Sequence, residues 1–285
     1  MTAVIRTISA ATQWVQTERA NGKTIGLVPT MGSLHEGHLS LVRRARQSCD
    51  RVVVSIFVNP LQFSAGEDYQ RYPRAFARDL SMLEREQADA VFSPEASQMY
   101  PQPSLTSVCP GKLGDILCGI SRPGHFRGVA TVLAKLFHIV PADRAFFGQK
   151  DAQQIAVVRA MVRELNFPVE IEVCPIVREP DGLAMSSRNA YLNTEERAKA
   201  PVLYRSLVHA RSLIQSGASD AVQVEAEMRA MIQAVPEAEL DYARVVDSET
   251  LEDVRQIQKQ VLVAVAARFG KTRLIDNLIV APSGP

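Results

Sequence analysis

The run RVVVSIF at residues 51–57 constrains the fold more than any other stretch of the chain. It is apolar and β-branched with no regular alternation of polar positions, so a strand built from it must be covered on both faces. Asn59-Pro60 then stops it. Sheets covered on both faces are parallel ones flanked by helices, and the neighbouring sequence supplies the pieces. TIGLVPT (residues 24–30) reads as a buried strand ended by a proline turn, and LSLVRRARQSC as the helix after it. A helical pattern through Phe76, Leu80 and Leu83 leads to ADAVFSP, a third short strand.

The alternation resumes with GVATVLAKLFHIV as helix, DRAFFG as strand, AQQIAVVRAMVREL as helix and VEIEVCPIV as strand. This is the pattern of a doubly wound parallel sheet. After Val177 the character changes. REPDGLAMSSRN is polar, two long helical patterns follow (EERAKAPVLYRSLVHARSLIQ and DAVQVEAEMRAMIQA), and three strand-like runs close the chain (DYARVVD, VLVAVAARF, TRLIDNLIV). The sequence therefore predicts an α/β domain over residues 1–177 and a smaller α+β domain over 178–285.

A chain of 285 residues can fill cores of this size without disulfides. Cys49, Cys109, Cys118 and Cys174 lack the close pairing that zinc or redox motifs require, and read as reduced core residues. No hydrophobic leader or membrane-length run is present, so the expected location is the cytoplasm, with no membrane partner. The 31 acidic and 32 basic residues nearly cancel, which leaves no global field to attract nucleic acid. An anionic ligand must be held by placed residues.

The stretch PTMGSLHEGHLSLV (residues 29–42) sits where a strand meets a helix. His35 and His38 are three residues apart, whereas the H-E-x-x-H zinc motif needs an i, i+4 pair, so zinc does not fit. Ser33 and Glu36 match an S-x-x-E capping box, predicting a helix from Leu34 whose first N–H groups offer an anion site. Gly32 and Gly37 leave room for a ligand. FFGQKDAQQ adds Gly148, Lys150 and Asp151 at a second strand end, and LAMSSRN adds two hydroxyls and a forked cation in a flexible segment. Taken singly, Lys150 reads as a surface lysine, Asn59 as an Asn-Pro turn and Gln154 as a helix-cap partner of Asp151. Together the loops share the chemistry of phosphate binding.

The H-x-G-H stretch resembles the signature of class I aminoacyl-tRNA synthetases and related nucleotidylyltransferases, and MSSRN resembles their mobile K-M-S-K-S loop. FVNPLQF, YPR, RPGHFRGVATVLAKL, FFGQKDAQQ, DGLAMSSRNAYL and TRLIDN resemble the pantoate–β-alanine ligases. The resemblance implies a Rossmann-like domain on which ATP activates pantoate as an adenylate, releasing pyrophosphate, before the β-alanine amine displaces AMP. It implies that His35 and His38 contact the phosphates with Lys150 beside them. Ser186, Ser187 and Arg188 would close over the triphosphate, with Pro29, Met31, Gly37, Gly148, Asp151, Val177 and Met185 lining the nucleotide pocket. Asn59, Gln62, Gln154 and Arg122 would serve the pantoate and β-alanine sites, and Asp79 would lie near Mg2+. It further implies a homodimer, and the place of the LAMSSRN loop at the domain boundary predicts that the small domain acts as a lid. Gln149 departs from the pattern, since many relatives carry glutamate there, while His125 and His138 read as supporting residues. Two rivals share the loop: a nucleotidylyltransferase acting on another small acceptor, and a nucleotide-binding module without chemistry.

Overall fold

In the computed structural model, residues 2–64, 66–102 and 104–282 are described. They divide into two compact units. The first takes the residues up to Gly148 together with Val157–Pro175, and the second takes Gln149–Ala156 together with the residues from Ile176 onward. The short segment after Gly148 thus groups with the C-terminal unit, although its sequence neighbours on both sides belong to the first.

The first unit is built on six strands: β1 (Ala3–Ile5), β2 (Ile25–Thr30), β3 (Arg51–Ile56), β4 (Ala90–Phe92), β5 (Arg144–Gly148) and β6 (Glu170–Cys174). Their order is β1-β4-β3-β2-β5-β6, and every pairing is parallel. The connecting helices are α1 (Ile8–Ala20), α2 (Glu36–Ser48), α3 (Phe76–Arg85), α4 (Ala96–Met99), α5 (Cys118–Ser121), α6 (His125–Ile139) and α7 (Ala152–Glu164). From β2 the chain steps outward through β3 to β4, while β5 and β6 lie on the other side of β2. The strand order therefore reverses between β2 and β5, and open α/β sheets bind ligands beyond the carboxyl ends of strands at such a point.

The uniform apolarity of β3 is accounted for: Val52 to Val54 are buried in the middle of the sheet. Val28, Val54, Val91 and Phe146 join Leu39, Val42 and Ala45 of α2 and Leu83 of α3 in one core. Each such side chain contributes about 1.5–3 kcal/mol when fully buried. β1 is an addition to the sequence reading, since a three-residue strand leaves no periodic signal. The strand expected to run to Val177 ends at Cys174. Cys109, expected in a core, is exposed, while Cys49, Cys118 and Cys174 are buried.

In the second unit β7 (Ala238–Asp247), β8 (Val261–Phe269) and β9 (Thr272–Val280) form an antiparallel sheet in sequence order. The single long helix expected over residues 195–215 is two helices, α8 (Thr194–Lys199) and α9 (Val202–Gln215). Pro201 divides them, because it has no N–H for an interior helical bond and its ring disfavours the turn before it. Leu203, Leu207 and Ile214 of α9 and Val224, Met228 and Ile232 of α10 (Ala221–Gln233) share a core with Val245, Val263, Val265 and Phe269. Among the described residues no helix is long and apolar enough to cross a membrane.

Candidate active site

The loop after β2 reaches its shape through a buried carboxylate. Asp79 of α3 is 1% exposed, and its oxygens accept the N–H groups of Ser33 (2.7 Å) and Leu34 (2.9 Å). Gly32 lies against it with φ +79, and a Cβ there would stand 3.0 Å from both Asp79 Oδ2 and Ile56 Cγ2. Ser33 also has positive φ, at 52°. The expected Ser33–Glu36 box is therefore absent: Ser33 is turned into the left-handed region and tied to Asp79, and α2 starts two residues later than predicted.

The histidines themselves form the capping box. His35 is the N-cap, its Nδ1 accepting from Gly37 N (3.2 Å), and His38 at the third helical position accepts His35 N on Nδ1 (3.4 Å). The rings lie 4.1 Å apart between centroids. An Nδ1 that accepts cannot carry a proton, so the neutral ring holds its hydrogen on Nε2. One helix start thus sets the tautomer of both rings, with Nδ1 as acceptor and Nε2 as donor.

Asn59 and Gln62 occupy the turn after β3. Asn59 is 1% exposed and its amide is saturated: Oδ1 accepts from Leu61 N and the Tyr100 hydroxyl (2.8 Å), and Nδ2 donates to Gln62 Oε1 and Gly128 O, both 3.1 Å. It is placed to organise the turn rather than to contact a ligand. Gln62 Nε2 reaches Met31 Sδ at 3.0 Å. Arg122 is committed too, with Nε and Nη2 on Glu67 at 2.7 and 2.8 Å and Nη2 on Gln62 O. Its Nη1 faces His125 Nε2 at 3.0 Å, which fixes that ring's hydrogen on Nδ1, 2.7 Å from Gln62 O. Burial pushes the Glu67 carboxyl up, but bonding to Arg122 and its charge outweigh this and leave it below the ordinary range. Sequence reasoning passed over Glu67 and Tyr100, and the bidentate pair fits a clamp on Gln62 better than a free cation for substrate.

Pro29 is half-buried at the end of β2, Met31 follows that strand, Gly37 lies in the first turn of α2, and Gly148 is the last residue of β5. A Cβ at Gly148 would meet nothing within 4 Å.

In the second unit, Gln149–Asp151 form a 3-10 turn that runs into α7, where Gln154 is half-buried in the first helical turn. Lys150 Nζ lies 3.5 Å from Asp151 Oδ2. Val177 O accepts Met185 N (3.0 Å) and Arg178 bridges to Ala184, so residues 177–185 form a hairpin. Ser186 ends it as the cap of the turn Ser187–Tyr191, its hydroxyl accepting from Arg188 N at 3.3 Å. Asn189 Nδ2 ties that turn to Glu179 and to Ala184 O, and Arg197 pairs with Glu179 and Asp181. Among the described residues, no group of three or more His, Cys, Asp or Glu side chains is arranged to hold a metal ion. Asp79 does not fit the expected metal role, because its oxygens are buried and bound to the loop backbone.

A doubly wound sheet with an H-x-G-H loop beyond β2, beside the reversal in strand order, defines the class: an α/β protein with the ligand crevice of a doubly wound fold. Comparison with known proteins narrows it. The profile of the family described as Pantoate-beta-alanine ligase matches residues 3–279. The pantothenate synthetase of Thermotoga neapolitana is 57% identical over 277 residues, spanning 97% of this chain and 99% of the relative. That of Syntrophomonas wolfei is 53% identical over 278 residues, at 97% and 99% coverage. The crystal structure of pantothenate synthetase from Thermus thermophilus superposes with TM-score 0.93 at 47% identity, over 98% of this chain and 100% of that one. A pantoate-beta-alanine ligase from Francisella tularensis, complexed with beta-gamma ATP and beta-alanine, gives 0.79 at 32% identity and 98% coverage of each chain. The chain belongs to the pantoate-beta-alanine ligase family, and it is a ligase.

Proposed function

We propose that this protein condenses pantoate with β-alanine at the expense of ATP. In the first step a pantoate carboxylate oxygen bonds to the α-phosphorus, the bond from that phosphorus to the bridging oxygen breaks, and pyrophosphate leaves. In the second, the neutral amine of β-alanine bonds to the acyl carbon of pantoyl adenylate, the bond from that carbon to the phosphate oxygen breaks to release AMP, and the nitrogen loses a proton to solvent. The observation that carries this reading is the family match over residues 3–279 together with a histidine pair whose Nδ1 atoms cap α2.

The main obstacle to the first step is repulsion between a carboxylate and a polyphosphate, so the residues act by placing charge and aligning groups. His35 and His38, each neutral, donate Nε2–H to phosphate oxygens as negative charge gathers in the five-coordinate transition state. Lys150 and Arg188 offset the triphosphate charge, with Ser186 and Ser187 as hydroxyl partners. Gln62 and Gln154 take the pantoate hydroxyl and carboxylate groups, as amides can without adding charge. Asn59, Tyr100 and the Arg122–Glu67 pair keep Gln62 in place. Mg2+ belongs to this reading as the companion of ATP, arriving on the phosphates, where it would neutralise their charge. A homodimer working in the cytoplasm completes it.

The deciding experiment is exchange of labelled pyrophosphate into ATP with magnesium and without β-alanine. Exchange that depends on pantoate is expected. Exchange absent with pantoate but present with another acid or a phosphorylated acceptor would move the chain to the nucleotidylyltransferase reading.

A further inference from the structure

Two adjacent residues of β9 hold both cationic loops of the second unit. Asn277 is 2% exposed and spends its amide on the turn that carries Lys150: Oδ1 accepts from Gln149 Nε2 (3.0 Å), and Nδ2 donates to Gln149 O (3.0 Å) and Lys150 O (2.9 Å). An amide is the one short side chain that can accept from Gln149 and donate twice to carbonyls in the same place.

Asp276, its neighbour, is 3% exposed and holds the other loop. Its carboxylate takes Arg178 bidentately, at 2.6 Å to Nη1 and 3.0 Å to Nη2, and also accepts Asn277 N at 2.7 Å. Arg178 Nη1 reaches Gly182 O at 3.0 Å, while the guanidinium carbon stands 3.9 Å from the centre of the Tyr204 ring. Gly182 is pressed against that ring with φ +92, and a Cβ would fall 2.2 Å from Tyr204 Cδ1. Burial pushes the Asp276 carboxyl up, and Arg178 draws it back toward the ionised form. The hairpin so anchored delivers Ser186, Ser187 and Arg188.

We propose that Asp276 and Asn277 are positioning residues for adenylate formation, a single dipeptide of β9 setting the Lys150 turn and the Ser186–Arg188 loop together. This rests on the reading that Lys150 and Arg188 act on the phosphates of ATP. Neither β9 residue touches substrate in this scheme; each acts through a backbone it holds.

The test is a double-mutant cycle on pantoate-dependent pyrophosphate exchange, joined to hydrogen exchange of residues 149–156. Asn277→Ala should lower kcat by up to about 10²-fold, the scale of a misplacement near one ångström, with a smaller loss for the milder Gln149→Ala. In a Lys150→Ala background Asn277→Ala should change the rate by less than about twofold, because the group it positions is gone. Amides of residues 149–156 should exchange faster in both single variants. An equal loss in the two backgrounds, or unchanged amide exchange, overturns the proposal. Failure of the underlying reading is seen separately, as a Lys150→Ala enzyme that exchanges pyrophosphate at the parent rate.

Discussion

The loop beyond β2 and the hairpin before α8 are each shaped by one buried aspartate, and the two do it differently. Among the described residues Asp79 accepts backbone N–H groups, from Ser33 and Leu34, and so needs no particular side chain as its partner. Asp276 holds Arg178, a side chain, and the hairpin follows because that arginine also reaches Gly182 O. A carboxylate on amides needs the backbone to come close, hence Gly32; a carboxylate on a guanidinium needs one particular partner. Similar burial of the two carboxylates conceals unequal costs of loss.

Asp276→Ala would break this comparison most visibly. It leaves Arg178 without its counter-ion, a loss of about 3–5 kcal/mol for a buried pair, and denaturant unfolding should show it in the C-terminal unit. A loss under about 1 kcal/mol would mean that the stacking on Tyr204 and the Gly182 carbonyl suffice for the arginine. Next in size, His38→Ala and Lys150→Ala should each slow pyrophosphate exchange by about 10²–10³-fold, the usual effect of removing one transition-state donor. His38 is also half of a cap, whose loss costs about 1 kcal/mol of stability, so a rate effect no larger than that would reduce it to a structural residue.

Asp79→Asn sharpens the other side. One amide oxygen remains to accept, but the NH2 group now faces a backbone N–H, and unfolding should report about 1–3 kcal/mol for the unsatisfied donor. Gly32→Ala comes next, at about 1–2 kcal/mol for left-handed backbone, with the close approach to Asp79 adding to it. The smallest effect is in acid. The Glu67 carboxyl is depressed in the folded protein, so its pairing with Arg122 stabilises fully above the ordinary glutamate range and is lost as pH falls through the lower folded value. Parent and Glu67→Gln should therefore converge in stability at low pH, and a gap that widens on acidification would contradict the clamp.

The sheet was legible because its strands are apolar on both faces, as the run at residues 51–57 shows, and β8 and β9 fall where the sequence puts them. Local signals did less well where a distant group decided the matter. Ser33 and Glu36 satisfy a capping pattern, yet Asp79, far along the chain, captures Ser33 N, and the N-cap falls on His35 instead. The resemblance assigns Arg122 and Asn59 to the substrate sites, but only the fold brings Glu67 to the one and Tyr100 and Gly128 to the other. TRLIDN carries the anchors of two loops, but nothing in its own spacing says so. The pocket residues are visible as types in sequence; what each already holds is not.

The histidine capping box has a consequence for where protons reside. Because each Nδ1 accepts an amide of the first turn, the ring hydrogens of His35 and His38 are assigned by the backbone before any ligand arrives. Nitrogen chemical shifts of the free protein should show both rings as the Nε2–H tautomer. The same nitrogens that fix those tautomers also cap α2, so the arrangement of the two rings and the first turn of the helix are one structure.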